Sequence, residues 1–148
     1  MTDVFEAATG DCPRPDLTAG AAEARAAEVR AALDGLLQIR RLTNTAPAAW
    51  ELSRMVRAVA LVLEAAGIAP SAVDASGART ATGYRVRASD RAGMVCVDWL
   101  GPRGAGAAQE EEPELARCAA ALGAMGWEAL MYRGARKRRF LEVEAGRG

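Results

Sequence analysis

Five cations fall within seven positions of one another: Arg133, Arg136, Lys137, Arg138 and Arg139, with Tyr132 and Phe140 on either side. Guanidinium groups grip carboxylate and phosphate through a planar fork, and aromatic rings beside them supply stacking surface. Residues 129–148 hold six basic against two acidic residues, so the charge is not cancelled by near neighbours in the chain. Arg85 and Arg87 extend this candidate contact set if their strand lies beside it. Three outcomes are expected for such a cluster. Cations on a hairpin turn are often simply solvated, or discourage strand aggregation. They can also pair internally, here with Glu110, Glu111, Glu112 and Glu114. Failing both, they meet a partner protein's acidic surface or a nucleic acid.

Other chemistry finds little material. The chain contains no histidine, so the commonest general base and metal ligand is missing. Serine or cysteine nucleophiles would lack a histidine partner, and no Ser-x-x-Lys arrangement occurs. Metal ligands would have to be all carboxylate, without an EF-hand loop. The stretch Gly101-Pro102-Arg103-Gly104-Ala105-Gly106 lacks the Lys-Ser/Thr pair of a phosphate cradle and leads into acids, so it reads as a plain loop. Asp98, between Val97 and Trp99, is the one carboxylate whose neighbours could desolvate it, but alternation puts it on the opposite face from both. Cys96 and Cys118 sit in apolar stretches and read as buried thiols; Cys12, between Asp11 and Pro13, reads as exposed. No catalytic residue, cofactor or metal site is expected, and an enzyme is disfavoured.

With 148 residues, 51% hydrophobic and 26% charged, the chain has the size and composition of one globular domain. Its 19 basic and 19 acidic residues cancel, which argues against whole-molecule attraction to nucleic acid or to an acidic membrane. Eighteen of the basic residues are arginine, alongside abundant alanine and glycine, a pattern that codon bias explains. The first residues are acidic and carry no long apolar run, and the most apolar stretch, 58–63, falls far short of the ~20 residues that span a bilayer. A cytoplasmic protein without membrane contact is expected.

The elements that must position these residues follow from periodicity. Residues 1–16 show none and read as a flexible leader. Ala22, Ala26, Val29, Leu33, Leu36 and Arg40 recur at 4-3 spacing, predicting a helix over 17–42 with Arg40 and Arg41 in its last turn. Thr43-Asn44-Thr45 and Pro47 stop one helix and start another, predicted over 47–66, with Leu52, Met55, Val56, Val59 and Leu63 on its main apolar face. Trp50, Ala60 and Val62 widen that face, so the helix is expected to be buried on several sides, as core or as a dimer interface. Gly67, Ile68 and Pro70 terminate it, and the helical hairpin spans 17–69. Residues 70–82 read as a linker. Tyr84, Val86 and Ala88 alternate with Arg85 and Arg87, and after a five-residue turn Val95, Val97 and Trp99 alternate with Cys96 and Asp98, predicting a β-hairpin. A helix follows, starting near Pro113 and carrying Leu115, Cys118 and Leu122; strands over 127–132 and 137–144 form a second hairpin.

The fold class is therefore α+β: an N-terminal helical hairpin followed by a β-β-α-β-β unit over 83–148, giving an antiparallel sheet with helices on one face, all of 17–148 forming one compact domain. The expected function is that of a small non-catalytic interaction protein, adaptor, chaperone-like or regulatory. It is expected to form a homodimer through its N-terminal helices and to meet its partner through the arginine-rich hairpin. A nucleic-acid-binding regulator using Arg133 to Arg139, Arg85 and Arg87 is the alternative.

Overall fold

The computed structural model describes residues 5–13 and 18–146; residues 1–4, 14–17 and 147–148, and with them part of the expected leader and the expected start of the first helix, lie outside the described residues. The first helix, α1 (Ala19–Thr43), buries Val29, Leu36 and Arg40 from the 4-3 stripe and half-buries Leu33 and Leu37. Asn44 ends it in the left-handed conformation, φ 54°, with the Thr45 amide donating to the Arg40 carbonyl.

The predicted second helix is broken in two, α2 (Ala49–Ser53) and α3 (Met55–Ala65), by Arg54 at φ −138°. Ser53 Oγ donates to the Trp50 carbonyl (2.8 Å), a side-chain bond that competes with the helical ladder and bends it. At the other end Ile68 N–H reaches the Leu63 carbonyl and Gly67 takes φ +81°, the six-to-one closure expected from Gly67 and Ile68. Arg25 meets Glu64 and Arg40 meets Glu51, so α1 and the α2–α3 pair run antiparallel.

Residues 70–82 are more than a linker. They form a two-stranded antiparallel ribbon, β1 (Ala72–Val73) with β2 (Arg79–Ala81), around a turn in which Asp74 Oδ1 accepts from Ser76 N–H, Ser76 Oγ and Ala78 N–H. Those bonds, the Ser76 hydroxyl first, hold the Asp74 carboxyl below its ordinary range.

The main sheet is antiparallel, with strand order β3 (Gly83–Ala88), β4 (Val95–Leu100), β6 (Arg139–Ala145), β5 (Trp127–Arg133). Helix α4 (Ala107–Ala124) joins its two hairpins. This helix begins well before the expected start near Pro113, because Gly106 supplies the left-handed residue that lets Gln109 and Glu110 N–H bond back to its carbonyl. Pro113 consequently sits inside the helix, where it leaves one rung of the ladder without a donor.

The fold is α+β, with helices on one face of the antiparallel sheet. Tyr84, Val86, Val95, Val97, Trp99, Leu141, Val143 and Trp127 turn inward and are buried in one core with Leu115, Cys118 and Leu122 of α4 and Val59 and Leu63 of α3. The opposite face carries Arg85, Arg87, Asp98, Phe140, Glu142, Leu130 and Tyr132, as the alternation requires. No helix among the described residues is long and apolar enough to cross a membrane.

The stretch 5–13, expected to be a flexible leader, is laid along the domain as a strap. Ala8 N–H donates to Glu64 Oε1 (3.1 Å), Tyr84 Oη donates to the Ala8 carbonyl (2.7 Å), and Arg57 binds the Phe5 carbonyl. Gly10, at φ +97°, presses so close that a Cβ there would lie 2.3 Å from the Tyr84 carbonyl oxygen. Only glycine fits such a site.

Candidate functional site

Because β4 pairs with β6, the two hairpins lie side by side and Arg87 joins Arg138 and Arg139 around Phe140. Together with Asp98, Gly134 and Ala135 they line a surface recess of about 290 Å³. The recess is cationic, but most of its cations are held. Asp98 Oδ2 accepts from Arg85 Nε (3.0 Å) and Arg87 Nε (2.8 Å). That bond to Asp98 pushes the Arg87 guanidinium above its ordinary range, and Arg87 also lies 5.9 Å from the Phe140 ring centroid. Arg85 lies 3.7 Å from Asp11 of the strap. Outside the recess, Arg91 pairs with Glu142 at 3.7 Å.

Glu111 does the same for the second hairpin. Its side chain is 3% exposed; Oε2 accepts from Arg138 Nε (2.6 Å) and Oε1 from the Arg139 backbone N–H (3.0 Å). Arg138 Nη2 also donates to the Trp99 carbonyl (2.7 Å), and Arg139 reaches Glu112 at 3.2 Å. The internal pairing expected of the acidic run thus accounts for Arg138 and Arg139. Among the four acids of that run, Glu111 is the one that precedes Leu115, Cys118 and Leu122 at helical spacing, which marks it as part of the inward stripe.

The remaining cations are different. Arg133, Arg136 and Lys137 are exposed and make no ion pair among the described residues. Arg136 and Lys137 occupy consecutive left-handed positions, φ 58° and 61°, with the Arg138 amide closing the turn on the Ala135 carbonyl (3.3 Å). Consecutive left-handed residues closed in this way form the centre of a type I′ turn, which Asn-Gly fills without strain. Here it is set in a three-residue connection, because Gly134 N–H bonds the Arg138 carbonyl (2.7 Å). Placing two long cationic side chains there costs stability that no local contact returns.

Four of the five residues expected on the dimer or core face of the predicted second helix lie largely inside the domain. Met55, Val59 and Leu63 are 8%, 0% and 0% exposed and Val56 is half-buried; only Leu52, at 47%, faces solvent. The breadth of apolar surface on this helix reflects its position between α1, the sheet and α4.

A larger cavity, about 600 Å³, opens between the strap, the end of α3, the segment 69–72, β2 and the loop before α4. Three of its polar side chains, Arg25, Glu64 and Ser71, are held. Arg25 Nε and Nη2 donate to the two oxygens of Glu64 (2.7 Å each), and Ser71 Oγ donates to the Ala81 carbonyl (2.8 Å). The bond to Glu64 raises the Arg25 pKa, and the Arg25 guanidinium also lies 4.6 Å from the Phe5 ring. Arg25 Nη2 also donates to the Glu6 carbonyl (2.8 Å), so the Arg25–Glu64 pair fastens the strap.

The buried carboxylates are likewise committed, Glu51 to Arg40 and Glu111 to Arg138. Cys118 and Cys96 are buried, and burial pushes both thiols up, Cys118 to about 12; Cys12 is exposed at the mouth of the cavity. No group of three or more histidine, cysteine or acidic side chains among the described residues is placed to hold a metal ion. No family model matches the chain, and no curated protein or solved structure proves significantly similar to it.

Proposed function

We propose that this chain is a small, non-catalytic interaction protein that docks an acidic segment of a partner protein at its cationic hairpin end. The observation that carries this reading is the strained turn. Arg136 and Lys137 occupy positions where Asn-Gly would be more stable, and both are exposed. A sequence that breaks a local rule without structural return keeps those residues for function. The adjoining recess of Arg87, Arg138, Arg139 and Phe140 offers a carboxylate further donors, already oriented by Asp98 and Glu111. The alternative, a nucleic-acid-binding regulator, is weaker, because the 19 basic and 19 acidic residues of the chain cancel and leave no whole-molecule attraction for a polyanion.

Photo-crosslinking tests the reading: a benzophenone side chain replacing Ala135, in cells of the source organism, followed by digestion with nuclease or protease. The expected product is a defined protein adduct that disappears when Arg133, Arg136 and Lys137 are reversed to Glu. A nuclease-sensitive adduct, or a protein adduct indifferent to charge reversal, overturns it. In solution, a nucleic-acid affinity that falls steeply with salt would point to the alternative.

A further inference from the structure

The two edges of the main sheet are finished differently. Along β3, the outward amide of Tyr84 donates to the Ala69 carbonyl (3.1 Å), that of Val86 to the Thr9 carbonyl (2.7 Å), and the Tyr84 carbonyl accepts from Ser71 N–H (2.9 Å). The strap and the segment before β1 thus cover this edge. β5, at the other edge, pairs with β6 over seven consecutive residues without a bulge. Gly134 N–H bonds the Arg138 carbonyl and Gly146 N–H the Gly126 carbonyl, which fixes the alternation: even-numbered residues of β5 bond to β6, and Trp127, Ala129, Met131 and Arg133 turn N–H and C=O outward. Among the described residues nothing bonds to that side. Native sheets blunt such an edge with proline, a bulge or inward-pointing charge. β5 has no proline and no bulge, its two charges, Glu128 and Arg133, stand towards its ends, and between them it exposes Leu130 (48%) and Tyr132 (45%).

We propose that β5 pairs antiparallel with β5 of a second copy of this chain about a twofold axis at Met131, joining two four-stranded sheets into one. The strand is complementary to itself in this register. Met131 faces Met131, both bonding outward, so each donates its N–H to the other's carbonyl. Leu130 then stands opposite Tyr132 twice over, and each exposed apolar side chain is covered by the other. The exposed Glu128 comes opposite Gly134, at the root of the other copy's basic turn, where the charges attract. A register centred on Leu130 would instead set Tyr132 against Glu128. The twofold arrangement is the commonest for homodimers, and main-chain pairing of edges is a recurring docking mode. The dimer sets Glu128 beside Gly134, which also lines the recess, but it does not use α3, and Leu130 and Met131, the residues that test it, lie outside the docking residues proposed above.

Sedimentation velocity over a concentration series from ~1 µM to ~1 mM tests this. Met131→Pro removes the central donor from both copies while leaving every bond from β5 to β6 intact, and Leu130→Lys sets a charge against Tyr132. Leu52→Lys on α2 is the control for association through the helices. The expected result is a reversible dimer that Met131→Pro and Leu130→Lys weaken at least about tenfold, with circular dichroism unchanged, and that Leu52→Lys leaves alone. A wild-type monomer across the whole series, or a dimer that survives both β5 variants, overturns the proposal. A monomer that still gives the charge-dependent Ala135 adduct retains the docking function and loses only the dimer.

Discussion

The ion pair between Arg40 and Glu51 ties three elements together, and its removal should be the most damaging single change on the helical side of the molecule. Glu51 is fully buried, and its carboxylate accepts from Arg40 Nε (2.9 Å), Arg40 Nη2 (2.6 Å) and the Ala48 backbone N–H (2.7 Å). Arg40 Nη1 continues to the Met125 carbonyl (2.7 Å), at the end of α4. Glu51→Ala leaves a guanidinium buried with one carbonyl for company and an amide with no acceptor. Breaking a buried pair in this way costs about 3–5 kcal/mol, which for a domain of this size lowers Tm by roughly 10 °C or more. Arg40→Met should cost a similar amount, since it strands the carboxylate. The double variant Arg40→Met with Glu51→Leu buries no unpaired charge and should be less damaging than Glu51→Ala alone. Urea denaturation of the wild type, Glu51→Leu, Arg40→Met and the double variant, analysed as a cycle, is the assay, with an expected coupling of at least about 2 kcal/mol. Additive single effects, with coupling below about 0.5 kcal/mol, would refute the claim that the two side chains act as a buried unit.

Gly10→Ala forces a side chain into the left-handed region against the Tyr84 carbonyl; it should destabilise by about 1–3 kcal/mol and open the 5–13 strap to protease, measured by urea melts and limited digestion. Conversely, Arg136→Asn with Lys137→Gly should raise stability by about 0.5–2 kcal/mol in the same melts while abolishing the Ala135 adduct. Of the three thiols only Cys12 is exposed, so Ellman's reagent should titrate one equivalent in the native protein and three after unfolding. Burial pushes the Cys118 thiol from 9.0 to about 12. The folded chain therefore keeps a proton that the unfolded chain releases in that window, the stabilisation is complete below pH 9, and stability falls as pH rises through the window. Tyr84, also pushed up by burial, adds to the fall above its ordinary value, and Cys118→Ala should flatten the part due to the thiol in alkaline melts.

The legible parts of the fold were those in which a local pattern and a tertiary environment agree. Alternation placed Arg85, Arg87 and Asp98 on one face and Tyr84, Val86 and Trp99 on the other, and the sheet keeps that division. The 4-3 stripe carried Arg40 onto the buried side of α1, but a sequence reading assigned it to the helix terminus, because Glu51 lies across a turn that periodicity does not describe. The early start of α4 was hidden by Pro113, normally a first-turn residue, and the split at Arg54 by the helical spacing of Leu52, Met55, Val56 and Val59, which runs straight across it. The strap and the β1–β2 ribbon escaped for a common reason: short, polar and alanine-rich segments are held by backbone bonds to Glu64, Tyr84, Val86 and the Cys12 carbonyl, and partners remote in sequence leave no local signature. At the candidate site, the clustering of cations was plain from the chain. Their division into paired Arg138 and Arg139 and, among the described residues, unpaired Arg133, Arg136 and Lys137 depends on where Glu111 points, and the open edge of β5 depends on strand order, which hairpin patterns alone do not specify.

Residue-resolved amide hydrogen exchange along the two sheet edges, at low and at high protein concentration, decides whether β5 is the surface this protein offers. Ala129, Met131 and Arg133 should exchange as open amides in dilute solution while Tyr84 and Val86 stay protected, and concentration should slow the first three without touching α1 or α3. Slow exchange at Ala129 and Met131 in the dilute monomer, or concentration-dependent protection confined to the helices, would contradict it.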